Sequence, residues 1–417
     1  MQLAPIRWTL GIVVASALLA GCTVSNASRG ATFVPSALSV SRGLADTSNY
    51  RVLHSFDGQD GRYPIASLID VGGVLYGTTT GGGTHGLAPK DGVVFSITTD
   101  GTEHVLHDFG TGARDGNYPG AALTELNGTL YGTTELGDKA NTGTVFSITT
   151  SGVEHVLYRF GEFAPSGYQP SAKLIDLNGI LYSTTNFGGS SNVGTVFSVT
   201  PDGKESTLYS FGQPYLRDGA FPATRLVNVH GTLYGTTYAG GVHGRGRCGP
   251  YRCDGDGTVF RITPAGKKRT LHSFGSGSDG LTPEAGMLNV NGTLYGTTAN
   301  GGKYHCGVMF STSTAGSERV LYSFGAAAGD GCDPAGDLIF VNGRLYGTTG
   351  YGGAHNHNGT VFGISLTGTG ERVLHSFSGG RDGSHPQAAL LNVGGTLYGT
   401  TQKGGTSNDG TVFALTL

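Results

Sequence analysis

The sequence carries little charge and no excess of either sign. Asp, Glu, Lys and Arg make up 13% of its 417 residues, whereas a typical globular protein contains about 25%. The formal net charge is −3. Recognition of nucleic-acid phosphates needs a basic patch or stripe. The composition provides none, so we expect no nucleic-acid partner.

Helical periodicity and membrane-length apolar runs are also missing. After residue 50, no convincing amphipathic helix can be traced in the sequence. The longest N-terminal apolar stretch, residues 8–20, has 13 residues, fewer than the about 20 that span a bilayer. These absences argue against a helical fold and against a membrane-spanning helix.

The stretch 8–20 is typical of a secretory signal instead, because a basic residue precedes it and small residues follow. Its end, Leu-Ala-Gly-Cys, resembles the lipobox of bacterial lipoproteins, in which cleavage precedes the Cys and that Cys is lipidated. We predict a signal peptide over 1–21, a lipid anchor at Cys22 and a flexible tether over 22–50. The signal predicts export. Thr and not Asp follows Cys22, which resembles outer-membrane sorting in some bacteria, so we expect anchoring in the outer membrane.

Glycine is abundant, with 75 residues, and it falls at fixed offsets in a repeat. The phrase Leu-Tyr-Gly-Thr-Thr, or a close variant, occurs seven times at spacings of 55, 51, 52, 61, 51 and 52 residues. Such a period indicates a repeat architecture, in which each unit buries its apolar faces against its neighbours. The Tyr residues are Tyr76, Tyr131, Tyr182, Tyr234, Tyr295, Tyr346 and Tyr398.

Each unit contains four short apolar segments, which predict four strands. In the second unit they are residues 121–126, 130–134, 144–149 and 154–160. They are rich in β-branched and aromatic residues and are separated by Gly, Asn, Asp and Pro. Asn-Gly or a similar pair recurs between the first two strands, which is typical of a type I′ hairpin turn.

Seven such units predict an all-β, seven-bladed β-propeller, with four-stranded antiparallel blades around a channel. The ends of the repeat region complement each other. Residues 51–56 resemble a fourth strand with no other three before it, and residues 411–417 resemble a third strand with no fourth. We expect 387–417 and 51–56 to share one blade, which closes a monomeric ring over residues 51–417. A β-solenoid or an open string of sheets would not need this offset.

Four further cysteines, an even number, favour disulfides in an exported chain. A propeller places the loops that hold them on one face. We predict the pairs Cys248–Cys253, within the long loop 238–257, and Cys306–Cys332, between adjoining loops. A zinc site with nearby loop histidines is the alternative, although the spacing matches no structural zinc pattern.

The repeats resemble a known family. The runs Asp-Gly-x-x-Pro, Leu-Tyr-Gly-Thr-Thr, Gly-Gly and Gly-Thr-Val-Phe, all present in 382–413, are similar to the GloVer tandem repeat of bacterial exported proteins with varied surface anchors. The resemblance covers 51–417 and implies an anchored, exported repeat protein. It implies no catalytic residues. The third unit departs from the pattern, with Ser183 in place of the usual Gly.

The repeated polar residues are interpreted as scaffold. Six Asp-Gly pairs begin loops into the next blade, where an Asp side chain can accept backbone N–H bonds. A ring of carboxylates that binds Ca²⁺ is the alternative, although these residues are spread over separate blades. In the fourth strand, His and Tyr interchange, which favours packing over a proton relay. The Asp residues are Asp60, Asp115, Asp218, Asp279, Asp330 and Asp382.

Function is expected where the units differ. The position two or three residues after the loop Pro holds Lys173, Arg225 and Asp337 in three units. We place it in the first strand, facing the channel, and predict that these side chains bind a polar ligand. The alternative is that they are solvated or ion-paired channel residues. The long loop supplies further binding candidates, which are Tyr238, Arg245, Arg247, Tyr251 and Arg252.

Three functions fit these features. The first is a non-catalytic surface module that binds a glycan, a peptide or another envelope protein, because no feature indicates a reaction. The second is an extracellular polysaccharide lyase or hydrolase, which needs paired carboxylates or a His and Tyr acid/base set in one cleft. The third is a purely structural envelope protein. Apart from the Ca²⁺ alternative, no cofactor is expected.

Overall fold

Seven four-stranded antiparallel sheets form a seven-bladed β-propeller, as the repeats predict. The predicted signal peptide, the anchor at Cys22 and nearly all of the tether lie outside the described residues. The computed structural model describes residues 49–417 except 86–90, 113–114, 138–140, 162–165, 213–216, 223, 244–247, 250–251, 254–255 and 277, and describes the backbone alone at 248–249 and 252–253.

Each blade has, from the channel to the rim, a first strand of three residues followed by three strands of five or six residues. The strands of blades one to seven are, in this order, Ile69–Val71, Val74–Thr79, Val93–Thr98 and Glu103–Asp108; Thr124–Leu126, Thr129–Thr134, Thr144–Thr149 and Glu154–Arg159; Ile175–Leu177, Ile180–Thr185, Thr195–Val199 and Glu205–Ser210; Val227–Val229, Thr232–Thr237, Thr258–Ile262 and Lys268–Ser273; Leu288–Val290, Thr293–Thr298, Val308–Ser313 and Glu318–Ser323; Ile339–Val341, Arg344–Thr349, Thr360–Ser365 and Arg372–Ser376; Leu391–Val393, Thr396–Thr401, Thr411–Thr416 and Tyr50–Ser55.

Shorter elements lie in the loops. One 3-10 turn spans Gly380–Asp382. Within the described residues, no helix is both long and apolar enough to cross a bilayer. The two-residue strands are Gly116–Asn117, Leu136–Gly137, Gly167–Tyr168, Phe187–Gly188, Cys248–Gly249, Arg252–Cys253, Gly280–Leu281, Asn300–Gly301, Gly331–Cys332 and Tyr351–Gly352.

The turns between first and second strands have the predicted type I′ backbone. Both central residues have positive φ in every blade, for example 53° at Asn127 and 80° at Gly128. This turn matches the twist of the two strands that it joins. We call the face that carries these turns the turn face. The opposite face, with the loops between second and third strands and the loops into the next blade, is the loop face.

The apolar core consists of seven clusters, one at each junction between blades. In each cluster, a Phe after the fourth strand of one blade packs edge-to-face on a Phe in the third strand of the next. Such a pair adds about 0.5–1.5 kcal/mol to the free energy of burial. The pairs are Phe56–Phe95, Phe109–Phe146, Phe160–Phe197, Phe211–Phe260, Phe274–Phe310, Phe324–Phe362 and Phe377–Phe413.

The Gly of Leu-Tyr-Gly-Thr-Thr makes room for this ring. A Cβ at Gly132 would lie 2.4 Å from Cζ of Phe146, and one at Gly347 would lie 2.8 Å from Cζ of Phe362. Close approach, and not positive φ, therefore requires glycine here. In blade three, Ser183 takes this position and is fully buried. Its hydroxyl donates to the Ala172 carbonyl at 2.9 Å, so its polar atom is satisfied.

The N-terminal strand closes the ring, as the complementary ends predict. Strand Tyr50–Ser55 pairs antiparallel with Thr411–Thr416, with Arg51 opposite Ala414. Phe56, fully buried, then enters the cluster between blades seven and one. The strand bounds differ from the prediction by one residue.

The first strands are shorter than predicted, which corrects the placement of Lys173, Arg225 and Asp337. All three lie two residues before a first strand and not within it. Carbonyl groups just before the first strands accept hydrogen bonds from the neighbouring blade instead of pairing within their own sheet. For example, Thr78 Oγ1 donates to the Ala121 carbonyl of the next blade at 3.1 Å.

The predicted disulfide Cys306–Cys332 is present, with Cα atoms 4.5 Å apart. It joins the loop between the second and third strands of blade five to the loop that enters blade six. Cys248 and Cys253 lie opposite each other in a short antiparallel ladder. Their side chains are outside the described part of the chain, so this pair stays a prediction.

Deleting the chain through Phe56 is expected to lower the melting temperature of the whole ring by on the order of 10 °C, because Thr411–Thr416 loses its partner and one Phe pair is lost. The matched control is a deletion that ends at residue 48 and keeps the strand. Differential scanning calorimetry compares the two. Equal melting temperatures would contradict the closure.

Candidate functional site

One residue of each loop into a blade has a strained backbone. It directly precedes the loop Pro and has positive φ, for example 62° at Tyr118. This conformation costs a non-Gly residue about 1–2 kcal/mol, and a following Pro favours extended backbone instead. We call these the pre-proline residues, and they are Tyr63, Tyr118, Gln169, Phe221, Thr282, Asp333 and His385.

Hydrogen bonds on both sides impose this conformation. The Tyr118 N–H donates to the Asp91 carbonyl of the preceding blade at 2.8 Å, and its carbonyl accepts from the Glu135 N–H at 3.1 Å. The other six pre-proline residues make equivalent bonds. Because only backbone atoms are used, the side chain is free to differ between blades. Such over-determined strain is common at functional sites.

The N–H that the pre-proline carbonyl accepts belongs to the variable residue after Thr-Thr. Two variable residues are therefore neighbours in every blade. Two of those described are exposed aromatics: Tyr118 is 40% exposed, and Tyr238 is 42% exposed. On the same face, the Tyr168 and Phe187 rings stack at 5.5 Å, and Tyr351 meets His385 edge-on at 5.0 Å. The loop face is therefore rich in aromatic side chains of varied identity.

The channel is narrow and polar. Its cavity has a volume of about 140 Å³ and receives one segment from each blade. All seven positions that the sequence singled out line it, although they precede the strands. They are Ser67, Ala122, Lys173, Arg225, Gly286, Asp337 and Ala389.

The cavity gathers the three predicted charged residues. Arg225 Nε lies 2.8 Å from Asp337 Oδ2, and the Gly286 N–H donates to Asp337 Oδ1. Burial, and secondarily the Arg225 charge, lowers the pKa of Lys173 to about 8, while Asp337 opposes this effect. Among the described residues, the Lys173 ammonium has no hydrogen-bond or ion-pair partner. Of the three predicted charged residues, Lys173 is thus left without a direct partner.

Glu284 also lines the cavity and was not identified from the sequence. Burial, with a contribution from Asp333, raises its pKa to about 7. Burial likewise raises the pKa of Asp333 to about 6. Glu284 directly follows a loop Pro, a position that varies between units, and this variation was the available signal.

The long loop does not join this cluster. Arg245, Arg247 and Tyr251 lie outside the described residues, and Arg252 is described by its backbone alone. Tyr238 is on the loop face and does not line the cavity.

The repeated Asp residues have the scaffold role that was predicted. Asp330 Oδ2 accepts hydrogen bonds from the Gly325 and Ala326 N–H groups at 2.8 and 2.9 Å. The Tyr322 hydroxyl donates to the same oxygen at 2.8 Å. In other blades a His takes the place of this Tyr and points Nε2 at the Asp. His and Tyr thus interchange because both present a polar atom to Asp, besides packing on the following Phe.

A sequence model described as the Gloeobacter/Verrucomicrobia repeat matches residues 39–248 and 251–417. The chain belongs to this family. The motif resemblance to the GloVer repeat is thereby confirmed. No curated protein sequence matches this Gloeobacter/Verrucomicrobia repeat protein.

Two solved structures resemble the ring. One is a putative 6-phosphogluconolactonase from Bacteroides uniformis, with 14% identity and a TM-score of 0.50 over 81% of this chain and 90% of that one. The other is PorZ, a surface component of the type-IX secretion system of Porphyromonas gingivalis, with 14% identity and a TM-score of 0.51 over 88% of this chain and 48% of that one. At this identity the likeness shows the fold alone.

The electrostatic coupling of the cavity predicts opposite effects of two substitutions on the pKa of Lys173. Arg225→Gln removes a like charge and is expected to raise it above about 8, whereas Asp337→Asn is expected to lower it. Acylation of Lys173 at a series of pH values, followed by peptide mass spectrometry, measures both. Arg269→Gln, on an exposed residue of a fourth strand, is the control. Identical pKa values in the two variants would rule out the coupling.

Proposed function

We propose that this protein is an exported, lipid-anchored binding module that holds an acidic glycan on its loop face and in its channel. The observation that carries the proposal is the Lys173 ammonium, which has no partner among the described residues and lies beside Arg225 in the channel cavity. The role is non-catalytic.

The charge balance favours an acidic ligand. Arg225 is neutralised by Asp337 at 2.8 Å, so Lys173 is left as a partly desolvated cation. A ligand carboxylate or sulfate would pair with it and replace the hydration lost on burial. A cavity of about 140 Å³ has room for one small acidic group and not for a whole oligosaccharide. The rest of the ligand must therefore lie on the loop face.

The loop face suits sugar rings. Tyr118, Tyr238 and Tyr351 are 40–45% exposed, and a Tyr offers an apolar ring for stacking and a hydroxyl for hydrogen bonding. Because the variable residues differ from blade to blade, the face presents an asymmetric surface on a rigid ring. These properties favour a glycan over a peptide or an envelope protein as the ligand.

The anchoring follows from the sequence. A lipid at Cys22 and the tether 22–50 would hold the ring at the envelope, in the outer membrane. The disulfide Cys306–Cys332 supports an oxidising compartment outside the cytoplasm. A closed ring leaves only the short outer edges of its blades exposed, which supports a monomer.

A glycan-active enzyme is the second candidate, because Glu284, with a pKa of about 7, is suited to donate a proton near neutral pH. Asp337 supplies a second carboxyl in the same cavity. Binding is preferred because the Asp337 oxygens are already used by Arg225 and the Gly286 N–H.

Isothermal titration of the full-length protein with acidic and neutral oligosaccharides tests the proposal. Lys173→Met is expected to weaken binding of acidic oligosaccharides about tenfold or more, which corresponds to about 1.4 kcal/mol. Lys267→Met removes the same charge from an exposed hairpin of the turn face and should change nothing.

Equal affinities of wild type and Lys173→Met, or preference for neutral sugars, would overturn the proposal. Mass spectrometry of the sugars after incubation separates the second candidate. Cleavage that disappears in Glu284→Gln would establish an enzyme.

A further inference from the structure

Three junctions in the described part of the ring bring a His, an Asp and a Glu together on the outer side. The His is in a fourth strand, the Asp is in the loop that follows, and the Glu begins the fourth strand of the next blade. One candidate ligand atom from each residue lies within 4.8 Å of the other two. The groups are His54, Asp60 and Glu103; His107, Asp115 and Glu154; and His272, Asp279 and Glu318.

Of the three groups, the one at the junction of blades one and two has the most candidate ligand atoms without a hydrogen bond. His107 Nε2, Asp115 Oδ1 and Glu154 Oε1 are buried, and none of them makes a hydrogen bond. The first two atoms are 3.6 Å apart. The other Asp115 oxygen accepts from the Thr111 N–H at 3.1 Å, which fixes the carboxylate. The three residues line a groove of about 470 Å³, which Arg159 also lines.

The other two groups retain one buried unpaired oxygen each, Oε1 of Glu103 and Oε1 of Glu318. Two carboxyl groups in one partly buried site repel each other when both are ionised. A bound cation would remove that repulsion.

Two other junctions show how the chain otherwise solves this problem. At the junction of blades three and four, Lys268 replaces the Glu, and its ammonium donates to the Asp218 carbonyl and to Thr270 Oγ1. The chain thus supplies its own cation. At the junction of blades five and six, Tyr322 replaces the His, and its hydroxyl contacts Asp330 at 2.8 Å and Glu371 at 3.5 Å. The three His junctions have neither this Lys nor this Tyr, although Arg159 lines the groove beside Glu154 at the junction of blades one and two.

We propose that each of the three His–Asp–Glu junctions binds one divalent transition-metal cation of the Zn²⁺ class. One imidazole and two carboxylates are ligands that Zn²⁺ accepts at about 2.0–2.2 Å, with a fourth position for water. Ligand atoms of one tetrahedral ion are then about 3.4 Å apart, so the observed spacing needs only small side-chain movements. Ca²⁺ fits less well, because it takes six to eight oxygen ligands.

Each metal would join two blades, because its Glu belongs to the blade after its His and Asp. A cation that binds only the folded ring raises its stability by mass action. The sites are remote from the channel in the fold, since they lie on fourth strands, so this inference is independent of the proposed ligand.

Zinc counting on the full-length, chelator-stripped protein tests the proposal. After loading with Zn²⁺ and removal of free metal, elemental analysis is expected to find three more zinc ions in wild type than in the triple variant His54→Tyr, His107→Tyr and His272→Tyr. Other junctions carry Tyr at this position, so these variants should fold. Co²⁺ loading provides a second readout through its visible absorption.

His375→Tyr is the matched control, because Tyr50 takes the place of the Glu at that junction and stacks on His375 at 3.7 Å. It should leave the zinc count unchanged. If the triple variant does not fold, the single variant His107→Tyr is expected to lose one zinc ion. An equal count in wild type and His107→Tyr, or no zinc in wild type, would overturn the proposal.

Discussion

The fit of one Phe ring against the next blade holds this ring together. Phe146 occupies space that a Cβ at Gly132 would fill, and Phe109 of the preceding blade closes over it edge-on. The same contact recurs at all seven junctions, so no blade buries its core alone. This dependence explains why Leu-Tyr-Gly-Thr-Thr and Gly-Thr-Val-Phe recur together. Ser183 is the exception to glycine at this position, and its buried hydroxyl is satisfied by the Ala172 carbonyl.

The same constraint leaves three kinds of position free to vary. The pre-proline residue is held by its backbone bonds, its neighbour after Thr-Thr contributes a backbone N–H to them, and the channel position precedes the first strand. Tyr118, Glu135 and Lys173 illustrate the three. Because the scaffold makes no demand on these side chains, their differences are available for recognition. They combine a channel that holds the Lys173 ammonium, unpaired among the described residues, with a loop face that is rich in aromatic side chains.

The sequence predicts the architecture well because the same strand and turn pattern occurs in seven copies. The blade number, the type I′ turns, closure by Tyr50–Ser55 and the disulfide Cys306–Cys332 all follow from spacing and local turn chemistry. The site is less predictable, since it depends on contacts between units. His107 and Glu154 meet only because neighbouring fourth strands adjoin. Glu284 reaches the channel through a loop whose path the periodicity does not reveal.

Ring closure also orders the events of folding. Tyr50 Oη donates to the Asp382 carbonyl across 332 residues of sequence. The paired strands Tyr50–Ser55 and Thr411–Thr416 are separated by even more residues. Contacts of such high sequence separation carry a large loop-closure entropy and form slowly. The first strand of the ring in the sequence thus pairs with the last. Until they pair, both are unpaired edges that other chains can capture, so a ring that has not closed is prone to association.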